Sequence, residues 1–188
     1  MATATQNTTK VVTGKVRLSY VHVFEPYAQD ANDDPKYSCV ILIPKSDKVT
    51  LKKIRSAIDA ASEAGKNSKF DGKIPKNLAI TLKDGDEDAD LEKNPEYENH
   101  MYMSISSKTR PGVVDQDVNP ILDSTEVYSG CYARVSMNAF PYNYKGKKGI
   151  SFGLNHVQKI EDGDFLGGRS RAEDDFDAYD EDDEDSVI

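Results

Sequence analysis

The chain has 188 residues, of which 37% are hydrophobic and 30% charged, with a formal net charge of -9. Ten of its 33 acidic residues fall between Glu173 and Asp185 with no basic residue among them, so 23 acidic residues remain against 24 basic ones in a near-neutral body that carries an acidic tail. No apolar run approaches the roughly 18 residues of a membrane span. Residues 1–9 lack the apolar stretch of a secretory signal, and Cys39 and Cys131 are too few for a disulfide framework or a metal cage.

Residues 1–12 read as a loose polar lead. Val16, Leu18 and Tyr20 alternate with Arg17 and Ser19, which is strand periodicity. Residues 29–35 are rich in Asp, Asn and Pro and read as a loop. The continuous β-branched run at 37–43 predicts a buried strand that stops at Pro44. A helix is expected over about 47–64, with Ser46 or Asp47 as its cap, Val49, Ile54, Ala57, Ile58 and Ala61 on one face, and Gly65 as its stop. A basic loop with Phe70 follows at 66–76, then a short strand through Leu78, Ile80 and Leu82, and an acidic loop at 84–90.

The second half is β-rich. Met101, Met103 and Ile105 alternate with Tyr102, Ser104 and Ser106. Cys131, Ala133, Val135, Met137 and Ala139 form one period-2 stripe, with Tyr132, Arg134, Ser136, Asn138 and Phe140 on the opposite face. A turn at 141–148 leads into a last strand that begins at Ile150, Phe152 and Leu154. About five strands with one inserted helix and no βαβ alternation predict a mainly β fold, an OB-like five-stranded barrel, with a β-sandwich as the alternative. The domain is expected over 13–166, followed by a glycine hinge and a disordered acidic tail over 167–188.

The polar strand faces carry the chemistry. Tyr102, Tyr132 and Phe140 lie opposite the apolar stripes, with Arg134 beside them. Rings exposed next to cations suit unpaired nucleobases, because every base offers a π-face; packing beneath loops is the other reading. Tyr142, Tyr144, Lys145, Lys147 and Lys148 surround one turn, which on an OB barrel borders the oligonucleotide groove or else is a solvated hairpin. Lys66, Lys69, Lys73, Lys76, Lys108 and Arg110 matter only if they share a face. Enzyme signatures are weak. Asp84, Asp86 and Asp88 alternate as in a calcium loop, but Ala89 and Pro95 stand where its glycine and final acid belong. No catalytic residue, metal or cofactor is expected.

Several motifs resemble a family of tailed-phage single-stranded-DNA-binding proteins. They include Gly14-Lys15-Val16-Arg17-Leu18-Ser19-Tyr20, the run at 37–45, and Arg110-Pro111-Gly112-Val113-Val114-Asp115. Val127-Tyr128-Ser129-Gly130-Cys131-Tyr132-Ala133-Arg134-Val135, the stretch at 149–158 and Gly167-Gly168-Arg169 continue the likeness, which covers about residues 13–176. The lead 1–12 and the loop 84–99 have no clear counterpart. The resemblance implies an OB-fold protein, in the cytoplasm of an infected bacterial host, that coats single-stranded DNA in replication and recombination. Arg110, Tyr128, Tyr132 and Arg134 lie within matching motifs. Bases would stack on Tyr20, Tyr102, Tyr132 and Phe140 or Tyr144, and phosphates would follow Arg17, Arg110, Arg134, Lys145, Lys147 and Lys148. The tail would compete with DNA and recruit replication and recombination proteins, through Asp174, Asp175, Phe176, Asp177, Tyr179, Asp182, Asp183 and Ile188. The competing expectation is an acidic DNA mimic that blocks a nucleic-acid enzyme; a nuclease using Asp84, Asp86 and Asp88 is a distant third.

Overall fold

The computed structural model describes residues 8–166. Five long strands form the body: β2 (Val16–Tyr27), β3 (Lys36–Pro44), β6 (His100–Ser107), β8 (Tyr132–Tyr144) and β9 (Lys147–Glu161). Four short ones border them: β1 (Lys10–Val12), β4 (Ala79–Ile80), β5 (Lys83–Asp84) and β7 (Gly112–Val114). The long strands close into a ring. β2 pairs antiparallel with β3, β3 with β6, and β8 with both β9 and β2. The single parallel link Ser106↔Gly153 joins β6 to β9 and completes the circuit. The mainly β, OB-like architecture with one main helix is therefore as expected.

The interior follows from strand alternation. Cys131, Ala133, Val135, Met137 and Ala139 point inward and are buried, while Arg134, Asn138 and Phe140 on the other face are exposed. Leu18, Ile41, Met103, Ile105, Phe152 and Leu154 meet the stripe from the other strands. Helix α1 (Lys48–Gly65) begins where Asp47 accepts a hydrogen bond from the Thr50 amide at 3.1 Å. It buries Leu51, Ile54, Ala57 and Ala61, one helical stripe, in the same core. Its last residue requires glycine, since a Cβ on Gly65 would stand 2.5 Å from Cβ of Pro141 on β8.

Three local expectations change. The supposed loose lead ends in β1, where Val11 is buried and Lys10–Val12 pairs with residues 136–138 of β8. Three residues with one inward side chain are too short to show periodicity. The strand expected at 78–82 is confined to Ala79–Ile80, because only those two residues find a ladder partner on β9. The acidic loop contains a helical turn, α2 (Gly85–Asp88), capped by Asp84. No helix among the described residues is long and apolar enough to cross a membrane.

Candidate nucleic-acid interface

One cleft of about 820 Å³ opens on the outer face of β2, β3 and β6. Its floor is paved with short side chains: Ser38 and Val40 of β3, paired with Ser106 and Ser104 of β6. Short side chains leave depth for flat groups to lie down. The rim is aromatic. His22 and Tyr27 stack with centroids 4.4 Å apart and planes 9° from parallel. Tyr20, 58% exposed, and Tyr144, 66% exposed, also line the cleft.

Backbone geometry sets these rings. β2 bulges between Ser19 and His22, and Tyr20 takes φ +47° within the bulge. The left-handed region is costly for a ring-bearing residue and needs support from its surroundings. Ser129 Oγ supplies part of it by accepting from the Val21 amide at 3.2 Å. Tyr97 supplies more through a side-chain hydrogen bond to Ser19, and burial pushes the Tyr97 hydroxyl up to about 12. Tyr144 is presented by the β8–β9 turn, where Lys145 (φ +50°) and Gly146 (φ +86°) form a type I′ hairpin loop. The Lys145 ammonium lies 5.3 Å from the Tyr144 ring centroid. Burial holds His22 below the ordinary histidine value of 6.5, which favours the neutral ring. Cys39, beneath the cleft, is pushed up to about 12 by burial, so its thiol is unreactive at neutral pH.

The expected site residues fall in different places. Tyr20 and Tyr144 line the cleft, with Lys145 and Lys147 exposed at the hairpin tip and Lys148 paired with Asp71 at 3.0 Å. Phe140, 44% exposed, lies on the outer face of β8 across from Ser151, and Arg110 is exposed after β6. Tyr102 packs edge-on against Tyr97 at 4.8 Å.

Arg17, Tyr128 and Tyr132 belong to a clasp that holds the end of the body. Arg17 donates to the Gly130 and Asp164 carbonyls at 3.1 and 2.8 Å, and its guanidinium lies 5.5 Å from the Tyr132 ring centroid. Lys15 lies at the same distance from that ring. The Tyr128 hydroxyl accepts from the Gly163 amide at 3.1 Å and has Asp162 and the Gly163 carbonyl as acceptors at 3.1 and 3.0 Å. The Leu166 amide donates to the Ser129 carbonyl at 2.8 Å. Arg134 donates to the Thr13 carbonyl at 3.2 Å, tying β8 to the chain after β1. These rings and guanidinium groups are engaged with the protein itself. The expected tail residues, Asp174 to Ile188, lie outside the described residues.

The aromatic and basic cleft residues His22, Tyr27 and Lys36 were not singled out from sequence, and Lys108 was named only among the scattered cations. A signal was present, because Tyr27 and Lys36 flank the polar loop and pair across the β2–β3 hairpin. On an OB barrel that loop borders the nucleic-acid groove. The acidic segment has a structural role instead. Lys45 bridges Asp84 and Asp86 at 2.7 and 2.6 Å, and these hydrogen bonds hold both carboxyls below their usual range. No group of three or more His, Cys, Asp or Glu that could hold a metal occurs among the described residues.

Known proteins share this architecture. The single-stranded DNA-binding protein of bacteriophage Enc34, solved in complex with ssDNA, superposes with a TM-score of 0.73 at 28% identity, over 85% of this chain and 90% of that one. The gp2.5 single-stranded DNA binding protein of bacteriophage T7 shares the fold, with a TM-score of 0.60 at 15% identity, over 91% of this chain and 96% of that one. Protein p50 of Acyrthosiphon pisum secondary endosymbiont phage 1 is 31% identical over 175 residues, 89% of this chain and 92% of that protein. The family described as Enterobacter phage Enc34, ssDNA-binding protein, matches residues 9–187. The chain belongs to this family of phage single-stranded-DNA-binding proteins.

Proposed function

We propose that this protein coats single-stranded DNA with little sequence preference during phage DNA replication and recombination, in the cytoplasm of the infected host. The observation that carries this reading is the cleft: exposed tyrosines over a floor of serines, bordered by the β2–β3 loop and the β8–β9 hairpin. A base in a duplex already has both faces stacked, so only an unpaired strand can lay its bases against Tyr20, Tyr27 and Tyr144. Each such stack is worth about 1–3 kcal/mol whatever the base. Lys36, Lys108, Lys145 and Lys147 supply cations for the backbone.

The acidic tail competes with DNA and recruits replication and recombination proteins. The clasp supports the competition, because it fixes the point from which the tail departs. Ser129 holds Leu166 through its carbonyl and Val21 through its hydroxyl, so the root of the tail lies one residue from Tyr20 and His22 at the cleft rim. Fluorescence anisotropy with labelled single-stranded and duplex oligonucleotides, at two salt concentrations, tests the reading. The expected result is salt-sensitive binding of the single strand alone, with a log–log slope of about -0.7 per neutralised phosphate. A chain ending at Arg171 should bind more tightly. Equal affinity for duplex, or a flat salt response, contradicts the proposal.

A further inference from the structure

The charges within the cleft cancel: Lys36 and Lys108 share its wall with Asp33 and Asp34. A strand lying there has its bases stacked and most of its phosphates unneutralised. Further cations that could serve them stand beyond the rim. The β8–β9 hairpin, which presents Tyr144 to the cleft, packs against the stretch that follows α1. Asn143 Nδ2 donates to the Lys69 carbonyl at 3.2 Å, and Lys148 pairs with Asp71 at 3.0 Å. That stretch is itself fixed. The Lys69 and Phe70 amides donate to the Gly65 carbonyl at 2.8 and 3.0 Å, the Gly72 amide donates to the Lys66 carbonyl at 2.7 Å, and Phe70 is buried. Lys66, Lys69 and Lys73 stand on it, exposed, and none of them is in an ion pair among the described residues.

We propose that Lys66, Lys69 and Lys73 form a second phosphate-binding surface, which receives single-stranded DNA as it leaves the cleft past Tyr144. The inference rests on the single-strand reading above and lengthens its footprint. One observation favours DNA over the chain's own acidic tail as the occupant. The lysine surface adjoins the cleft through one hairpin.

The test is the triple variant Lys66→Gln, Lys69→Gln, Lys73→Gln in the full chain. Its binding is compared with that of the parent over a salt series, using oligonucleotides of about 8 and about 30 nucleotides, one within and one beyond the site sizes of single OB folds. On the long oligonucleotide the variant should bind more weakly, with a salt slope shallower by about 2, the loss of three phosphate contacts. On the short one it should match the parent. Thermal unfolding should be unchanged, since the three side chains are exposed. An unchanged slope on the long oligonucleotide overturns the proposal, as does an equal loss on the short one. Tighter binding by the variant also overturns it and assigns the lysines to the tail. A parent that binds neither oligonucleotide overturns the cleft reading and this one with it, whereas failure of the variant's slope alone leaves the cleft reading intact.

Discussion

Tyr20 makes binding and stability separable. Replacing it with Ala or with Gly removes the same ring from the cleft. If that ring stacks on a base, either change costs about 1–3 kcal/mol of binding, or about 5- to 150-fold in Kd. The two variants should differ in stability. Tyr20 sits at φ +47° and is 58% exposed. The left-handed conformation costs a residue with a Cβ about 1–2 kcal/mol, and the extra unfolded-state freedom of glycine returns about 0.5–1 kcal/mol of that gain. The Gly variant should therefore be more stable than the Ala variant by about 0.5–1 kcal/mol, which is about 1–4 °C in Tm for a domain of this size. Both lose the part of the ring that is buried, about 80 Å² or up to about 2 kcal/mol, so both melt below the parent. Anisotropy titrations and thermal melts on the three proteins decide the matter. Unchanged affinity in both variants would refute stacking at Tyr20. An Ala variant at least as stable as the Gly variant would refute the claim that the backbone there is strained.

Tyr128→Phe removes the hydroxyl that joins Gly163 and Asp162 to the body; it should cost about 1–2 kcal/mol of stability, measured by denaturant unfolding, and change single-strand affinity of the folded protein less than twofold. A large loss of affinity without loss of stability would return Tyr128 to the DNA surface. His22 has its pKa lowered by burial from 6.5, so its contribution to stability is fully present above that value and is lost as pH falls through the lower folded-state value. The Tm of the parent should therefore fall relative to that of His22→Gln as pH is taken below 6.5; parallel Tm profiles would show that the ring is not desolvated.

The elements legible in the sequence were those whose signal is local. The stripe Cys131, Ala133, Val135, Met137 and Ala139 predicts one buried face of β8, and that face is buried. Asp47 and Gly65 bound α1 within a residue of the expected helix. The candidate cleft was only partly legible, because alternation assigns a residue to a face and says nothing about where along a long, curved strand it falls. Tyr132 and Tyr144 are both on β8, yet one is clasped beside Arg17 and the other borders the cleft. Arg17 and Tyr132, far apart in sequence, come together in the fold to hold the end of the body. The cleft also draws on Tyr27, Lys36 and Lys108, which come together only when β2, β3 and β6 pair. For the same reason Lys69 and Lys148, 79 residues apart in sequence, could not be seen to flank one hairpin.

The central claim is that an unpaired strand lies in the cleft with its bases against Tyr20, Tyr27 and Tyr144. Photo-cross-linking to an iododeoxyuridine-substituted oligonucleotide, followed by mass spectrometric mapping of the adducts, tests it most directly. Adducts on those three tyrosines, suppressed by unlabelled single strand and unaffected by duplex, are the predicted result. Adducts confined to Tyr128 and Tyr132 would place the DNA on the clasp and contradict the account.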